Sequence, residues 1–279
     1  MKLRIKPERR RNLMQAISRH LAAKRLAHHD AAELEGKLAF SILSQFGRIG
    51  RAALAVLHVR AREVGVSALT PNLSKALAFF YDFIRDMPAF STPAYPVSRK
   101  PVLAWTDTMF EKGGVRVDGP VRGCTAAIGA VVWSPADRVY FHSRLVISQS
   151  MLERLFSLKD QYIAQLEMIA VMSLYASLPH VLTDALVLHF VDNQGVLWNL
   201  VDASSRDPGC AGMAHTTALL QSQLRAGVWY EYVHSAANIG DLPSRGDFSY
   251  VRRMMVPIGG MSRHVPCRWF DSIIPAFGW

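Results

Sequence analysis

The run ALVLHFVDNQGV, residues 185–196, is the clearest indication of how this chain folds. Its first seven residues are apolar apart from one histidine, which predicts a strand over residues 185–191 that is covered on both faces and lies inside a sheet. The strand ends at Asp192, and Asn193 follows. Strand ends are exposed, so an acid there can meet other acids in a cleft. Alternatively, Asp192 is the N-cap of the next helix.

Strands and helices alternate on both sides of this run. Apolar stretches separated by turn residues predict further strands over residues 102–107, 128–133, 139–147 and 228–233. Apolar residues at helical spacing predict helices over residues 160–178, 193–201 and 211–226. We expect the first three strands to form an antiparallel meander. The order of the elements is that of an α/β domain, which we assign to residues 101–247.

Three further segments lie outside this domain. Residues 1–87 carry apolar side chains such as Leu13 and Ile17 at three- and four-residue spacing, which predicts an N-terminal helical arm. Residues 88–100 are rich in proline and predict a linker. The tail, residues 248–279, is short and aromatic, and its pattern favours no single structure.

Four acids lie at the ends of predicted elements or beside an apolar stripe: Asp107, Glu167, Asp192 and Asp241. Because strand ends are exposed and the apolar face of a helix points inward, the four side chains can meet in one cleft. Such a cluster can hold two divalent cations about 3.5–4 Å apart, which activate water and stabilise the leaving oxygen of a phosphodiester. Mg²⁺ prefers carboxylate oxygens and water as ligands.

Each acid also has an ordinary structural explanation. Asp107 would cap a turn, and Glu167 would be a solvated residue at the margin of its apolar stripe. Asp192 would be a helix N-cap, and Asp241 would be a first-turn acid stabilised by the helix dipole. The order and setting of the four acids together favour the metal site.

Composition limits the partners. The formal charge is +10 and the pI is about 9.8, which favours a polyanion such as nucleic acid, unless the charge reflects only a genome's arginine bias. Three scattered cysteines indicate neither a disulfide framework nor a zinc site, and therefore a reducing compartment. No apolar run is long enough to cross a membrane and no signal peptide is evident. We expect a soluble intracellular protein, in the nucleus or the cytoplasm, with no membrane partner.

Five motifs together resemble the ribonuclease H domain of retroelement reverse transcriptases, in particular DIRS-like retrotransposons. They are TDT at 106–108, GAVVW at 129–133, YIAQLEMIAV at 162–171, HFVDNQGV at 189–196 and VHSAANIGDLPSRGD at 233–247. The resemblance implies a ribonuclease H-like α/β fold with a mixed five-stranded sheet flanked by helices. It implies Asp107, Glu167, Asp192 and Asp241 as catalytic ligands of two Mg²⁺ ions, with Mn²⁺ as an alternative. The implied activity is cleavage of the RNA strand of RNA–DNA hybrids.

The N-terminal region carries a second resemblance. GKLAFSILSQFGRIGRAALAVLHVRA, residues 36–61, is similar to the segment after the polymerase palm in the same retroelements, where thumb and connection helices grip the template-primer duplex. This implies a thumb/connection-like role for residues 1–87 and makes the arginine-rich start less typical of a transit peptide. No polymerase motif is present, so polymerase domains are expected partners. The nucleic-acid contacts implied for the chain are Arg48, Arg51, Arg60, Asn193 and Arg245. For the three arginines at 48, 51 and 60, a solvated helix face is the alternative.

Some features depart from the family pattern. The interval between Asp107 and Glu167 is long, which predicts an insertion around residues 114–125 or 148–160. The mobile histidine that helps product release in the family has His234 as its nearest match, with a surface histidine as the alternative. Three other functions remain open: an inactive nucleic-acid-binding module, a decayed retroelement fragment, and an integrase- or transposase-like nuclease.

Overall fold

The structure is a computed structural model that describes residues 2–3, 5–42, 48–86, 90–91, 100–111, 124–156, 162–255 and 261–265. The chain divides into two compact units, Met1–Val97 (unit 1) and Ser98–Trp279 (unit 2). The division falls inside the predicted linker, residues 88–100, most of which lies outside the described residues. None of the helices in the described ranges combines the length and apolar composition that a membrane span needs.

Unit 1 is helical, as its periodicity predicts. Its helices are α1 (Pro7–Ala23), α2 (His28–Ile42), α3 (Arg51–Arg60) and α4 (Pro71–Asp86), and two short strands, β1 (Lys2–Leu3) and β2 (Phe90–Ser91), pair antiparallel. α1 begins at a proline, whose missing N–H costs nothing in the first turn of a helix. Leu13, Ile17, Leu38, Leu57 and Phe80 are buried and form the core between the helices.

Unit 2 is an α/β domain. Its strands are β3 (Val102–Glu111), β4 (Thr125–Ser134), β5 (Val139–Val146), β6 (Leu186–Val191), β7 (Gly227–Tyr232) and β8 (Met261–His264). Its helices are α5 (Gln149–Phe156), α6 (Tyr162–Ser177), α7 (Pro179–Leu182), α8 (Gln194–Asp202), α9 (Pro208–Gln223), α10 (Asp241–Ser244) and α11 (Ser249–Met255), with a 3₁₀ turn at Ser235–Ala237. Much of the predicted insertion lies outside the described residues, and α5 occupies part of it.

The sheet confirms the expected α/β class, with a mixed sheet flanked by helices, and has one strand more than expected. The strand order is β7-β6-β3-β4-β5-β8. The predicted meander β3-β4-β5 is antiparallel, whereas β6 pairs parallel to β3 and β7 pairs parallel to β6. The prediction of five strands was wrong by one, because residues 261–264 of the tail pair parallel to β5. An edge strand offers unpaired backbone N–H and C=O groups, and this short segment satisfies them.

The main core lies between the sheet and the helices α6 and α9. In β3, Val102 and Ala104 face this core and alternate with side chains on the opposite face of the sheet. α6 contributes Met168, Val171 and Tyr175, all fully buried. Burying a side chain of this size stabilises the fold by about 1.5–3 kcal/mol. The core therefore fixes α6 firmly against β3 and β4.

Candidate active site

Two of the predicted acids lie at one edge of the sheet because β3 and β6 run parallel. Their pairing ends at Trp105 opposite Phe190. Asp107 is two residues beyond Trp105, and Asp192 is two residues beyond Phe190, so the two acids follow the last paired residues in the same register. The prediction that the strand ends at Asp107 was wrong, because pairing with β4 extends β3 to Glu111. Asp107 is consequently buried, with 8% of its surface exposed.

Glu167 reaches the same edge from α6. Asn193 Nδ2 donates a hydrogen bond to Glu167 Oε1 at 3.1 Å. The Oδ1 atom of Asn193 accepts from the backbone N–H groups of Gly195 and Val196, at 3.0 and 3.3 Å, and so caps α8. The N-cap that the sequence suggested for Asp192 is therefore Asn193, one residue later. This side chain joins the start of α8 to the acid on α6.

Asp241 opens α10, which packs on β3 and β4. The approach is close because residue 129 of β4 is glycine: a Cβ there would lie 2.6 Å from Gly240 O and 2.8 Å from Ser244 Cα. Ser244 is fully buried, and its hydroxyl donates to Asp241 O at 2.8 Å and lies 3.4 Å from Asp107 Oδ2. The backbone of α10 thus lies directly on the strand that carries Asp107.

The proximity of the acids raises the pKa of two of them. Burial is the largest cause for Asp107, followed by a hydrogen bond with Asp241 and the charge of Asp192, and together they raise its pKa to about 7. Burial also raises the pKa of Glu167 to about 8; the bond from Asn193 opposes this shift, and the charges of Asp192 and Asp107 add to it. The charge of Asp192 thus acts on both Asp107 and Glu167, and Asp241 acts on Asp107.

The donor set fits a hard divalent cation, although the side chains do not enclose one. Four carboxylates, of which Asp107 is buried and the other three are partly exposed, are the ligands that Mg²⁺ or Mn²⁺ prefers. Within the described residues, no three His, Cys, Asp or Glu side chains are grouped closely enough to hold an ion. Coulombic repulsion acts over longer distances than coordination, so the two observations agree. Asp241 also binds Arg245, whose Nε lies 2.7 and 2.9 Å from its two carboxylate oxygens.

A buried polar chain lies next to Asp107 along β3. His189 is fully buried, and its Nε2 and Nδ1 atoms lie 3.0 Å from Thr106 Oγ1 and 3.2 Å from Tyr175 OH. Burial lowers the pKa of His189 to about 3, so the imidazole is neutral. A neutral imidazole donates from one nitrogen and accepts at the other, so both hydroxyls are satisfied. The histidine in the otherwise apolar strand is a structural group of the core.

The other predicted contact residues have different surroundings. Arg51 is exposed at the start of α3, and Arg48 is partly exposed. Arg60 is only 2% exposed; its Nη2 donates to Ala68 O at 2.8 Å and its Nε lies 3.3 Å from Glu63. This burial does not fit the phosphate contact suggested for Arg60, because the side chain is inside unit 1. His234 is exposed, and its Nδ1 accepts from the Ala236 N–H at 3.3 Å.

Three residues of the site were not singled out by the sequence: Gly129, Asn238 and Ser244. The motif at 233–247 contains Asn238 and Ser244, but nothing in their spacing distinguishes them from turn residues. Gly129 stands inside an apolar strand, where a glycine often marks a close approach of backbone. That signal alone could have indicated that another element packs on β4 at this point.

Comparison with known proteins finds similarity to solved structures only. No protein-family model and no curated protein matches the chain. RNase H1 of Halobacterium salinarum is 17% identical, with 54% of this chain and 99% of that chain covered and a TM-score of 0.35. The N-terminal RNase H domain of a Mycobacterium tuberculosis protein is also 17% identical, with 55% of this chain and 97% of that chain covered and a TM-score of 0.33. The prototype foamy virus protease-reverse transcriptase is 12% identical over 72% of this chain, but only 29% of that protein, with a TM-score of 0.32.

Proposed function

We propose that unit 2 hydrolyses the RNA strand of RNA–DNA hybrids with divalent cations held by Asp107, Glu167, Asp192 and Asp241. The observation that carries the proposal is that acids from separate parts of the chain influence one another electrostatically: Asp107 with Asp192 and Asp241, and Glu167 with Asp107 and Asp192. Structural stability does not require such a group, because uncompensated acids near one another oppose folding. Natural proteins keep such destabilising arrangements at functional sites.

Each residue of the site is proposed to have a different role in the reaction. Mg²⁺ or Mn²⁺, when bound, would stabilise charge on the attacking and leaving oxygens of a phosphodiester. Asp107 and Glu167 hold protons near neutral pH, with pKa values of about 7 and 8, and release them when a cation binds. Asn193 orients the Glu167 carboxylate through its 3.1 Å hydrogen bond. Arg245 balances the charge of Asp241 until a ligand replaces it.

The charge distribution supports a nucleic-acid partner. Unit 1 contains sixteen lysines and arginines against seven acids, whereas unit 2 contains sixteen against fifteen, so unit 1 carries nearly all of the net charge of +10. A basic helical unit attached to a nearly neutral nuclease-like domain fits contacts with a phosphate backbone. We include Arg48 and Arg51 of unit 1, and Asn193 and Arg245 of unit 2, among these contacts, and leave out the buried Arg60.

We further propose that the chain is the C-terminal part of a reverse transcriptase from a DIRS-like retrotransposon. The motif series at residues 106–247 and the thumb-like segment at residues 36–61 support this origin. Unit 1 would then adjoin polymerase domains supplied by other parts of the element, in the nucleus or the cytoplasm. His234, exposed near the start of the last motif, is proposed to assist product release.

Cleavage of a labelled RNA–DNA hybrid tests the function. The purified protein is expected to cut the RNA strand in Mg²⁺ or Mn²⁺ and to leave 5′-phosphate ends, and Asp192→Asn is expected to abolish cutting. Glu153→Gln, which neutralises an exposed acid on α5, is the matched control and should cut normally. Binding should weaken steeply with salt, because phosphate contacts release counterions. A folded protein that cuts equally well with and without Asp192 would disprove the proposal.

The second candidate is a nucleic-acid-binding module without catalysis. The ion pair of Asp241 with Arg245 favours it, because this pair satisfies the fourth carboxylate without any cation. The same experiment separates the two functions: salt-sensitive binding of the hybrid, with no cutting in either metal, supports the inactive module.

A further inference from the structure

The side chain of Asn238 bonds both to β3, which carries Asp107, and to the start of α10, which carries Asp241. It follows the 3₁₀ turn at Ser235–Ala237 and is 4% exposed. Its Nδ2 donates to Thr106 O at 2.9 Å, and its Oδ1 accepts from the Gly240 N–H at 3.1 Å. Its own carbonyl accepts from the Asp241 N–H at 3.1 Å. All of these bonds are buried or nearly so, where an exact geometry is worth most.

The two residues that the Asn238 side chain bonds are each next to a predicted metal ligand. Thr106 immediately precedes Asp107 on β3, and Gly240 immediately precedes Asp241 at the start of α10. One side chain therefore joins the backbone next to the first acid to the backbone next to the last one, across 132 residues of sequence. The distance between the two carboxylates depends directly on this connection.

Besides Asn238, the close approach of Gly240 to Gly129 of β4 and the Ser244 hydroxyl, 3.4 Å from Asp107 Oδ2, hold α10 against the sheet. The helix has only four residues, of which Pro243 and Ser244 are buried, so apolar packing contributes little. Its other end is held by Arg144, whose Nε donates to Ser244 O at 3.1 Å. The end of α10 that carries Asp241 is held through the two hydrogen bonds of the Asn238 side chain.

We propose that Asn238 is the positioning residue that holds Asp241 beside Asp107 and thereby sets the affinity of the site for divalent cations. The inference rests on the proposed function, because it assumes that the four acids bind cations. Residues that orient metal ligands without touching the ion commonly contribute roughly 10- to 100-fold to metal affinity or activity when they are replaced. Asn238 is expected to act in this way.

The test compares Asn238→Ala with Gln221→Leu in the full-length protein. Gln221 is also buried and bonded, but to the Tyr230 hydroxyl between α9 and β7, so its replacement is a control for lost stability in the same unit. The half-saturating Mg²⁺ concentration is measured twice, from the rise in unfolding temperature and from hybrid cleavage. For Asn238→Ala we expect both values to rise about tenfold or more, and cleavage to recover at saturating Mg²⁺. For Gln221→Leu we expect neither value to change.

A second variant reaches the same junction from the other side. A Cβ at residue 240 would lie 2.9 Å from the Thr106 carbonyl carbon and 3.1 Å from both Asp107 N and Asn238 Oδ1. Gly240→Ala should therefore weaken Mg²⁺ binding in the same way, even if Asn238→Ala does not fold. If either folded variant has the half-saturating Mg²⁺ concentration of the wild type, or if Gln221→Leu raises it equally, Asn238 does not position Asp241. These outcomes leave the proposed function intact. A wild-type protein that shows no response to Mg²⁺ in either measurement overturns the proposed function as well.

Discussion

Removing the charge of Asp107 is expected to stabilise unit 2 when divalent cations are absent. Burial, the hydrogen bond with Asp241 and the charge of Asp192 raise the pKa of Asp107 from 3.8 to about 7. Between these two values the folded protein keeps a proton that the unfolded chain has already released. Because the folded state binds more protons, the free energy of unfolding falls as the pH rises through this range, and it stays low above it.

The size of the effect follows from the two pKa values of Asp107. Each pKa unit corresponds to about 1.4 kcal/mol, so ionising Asp107 costs the folded state about 4 kcal/mol at high pH. This cost already includes the hydrogen bond from the Thr108 N–H, which favours the charged form. Asp107→Asn resembles the protonated acid, so we expect a gain of up to about 4 kcal/mol at high pH, or about 8–16 °C in unfolding temperature for a unit of this size.

Thermal unfolding in a chelator, followed from about pH 5 to about pH 8, measures this prediction. Wild-type protein should lose stability as the pH rises, and Asp107→Asn should lose less, so the two curves separate most at the alkaline end. Glu153→Gln should follow the wild-type curve, because Glu153 is exposed. If Asp107→Asn is less stable than wild type at about pH 8, or has the same pH dependence, burial and the neighbouring acids do not raise the pKa of Asp107.

Three further outcomes are expected. Gly129→Ala places a Cβ 2.8 Å from Ser244 Cα and should cost about 1–3 kcal/mol in denaturant unfolding and abolish cleavage; normal activity would contradict the packing of α10. His189→Leu should flatten the loss of stability between about pH 6.5 and pH 3, because a pKa lowered to about 3 makes the folded state bind fewer protons there; circular dichroism during acid titration checks this. Arg60→Met should cost about 1–3 kcal/mol by leaving Ala68 O unpaired, with an unchanged salt dependence of hybrid binding; a shallower salt slope would restore Arg60 as a phosphate contact.

The order of elements in unit 2 could be predicted because it depends on local patterns. The strand expected over residues 185–191 is Leu186–Val191, and the helix expected over residues 160–178 is Tyr162–Ser177. The strand is visible as a short, nearly continuous apolar run that ends at an acid, and the helix as a longer stretch with apolar residues at helical spacing. β8 was missed because its four residues, MSRH, have no strand pattern. They form a strand because β5 offers a free edge.

The α/β class, the basic character of the first unit and the four candidate acids can all be inferred from the amino-acid sequence. These properties follow from composition and from short-range patterns, which every segment carries within itself. The folded structure was needed to show that Arg60 is a core residue, that Asn193 bonds Glu167, and that Asn238 joins Thr106 to Gly240. These roles depend on contacts between residues far apart in the chain, and no local pattern encodes which backbone groups will meet when the sheet and helices pack.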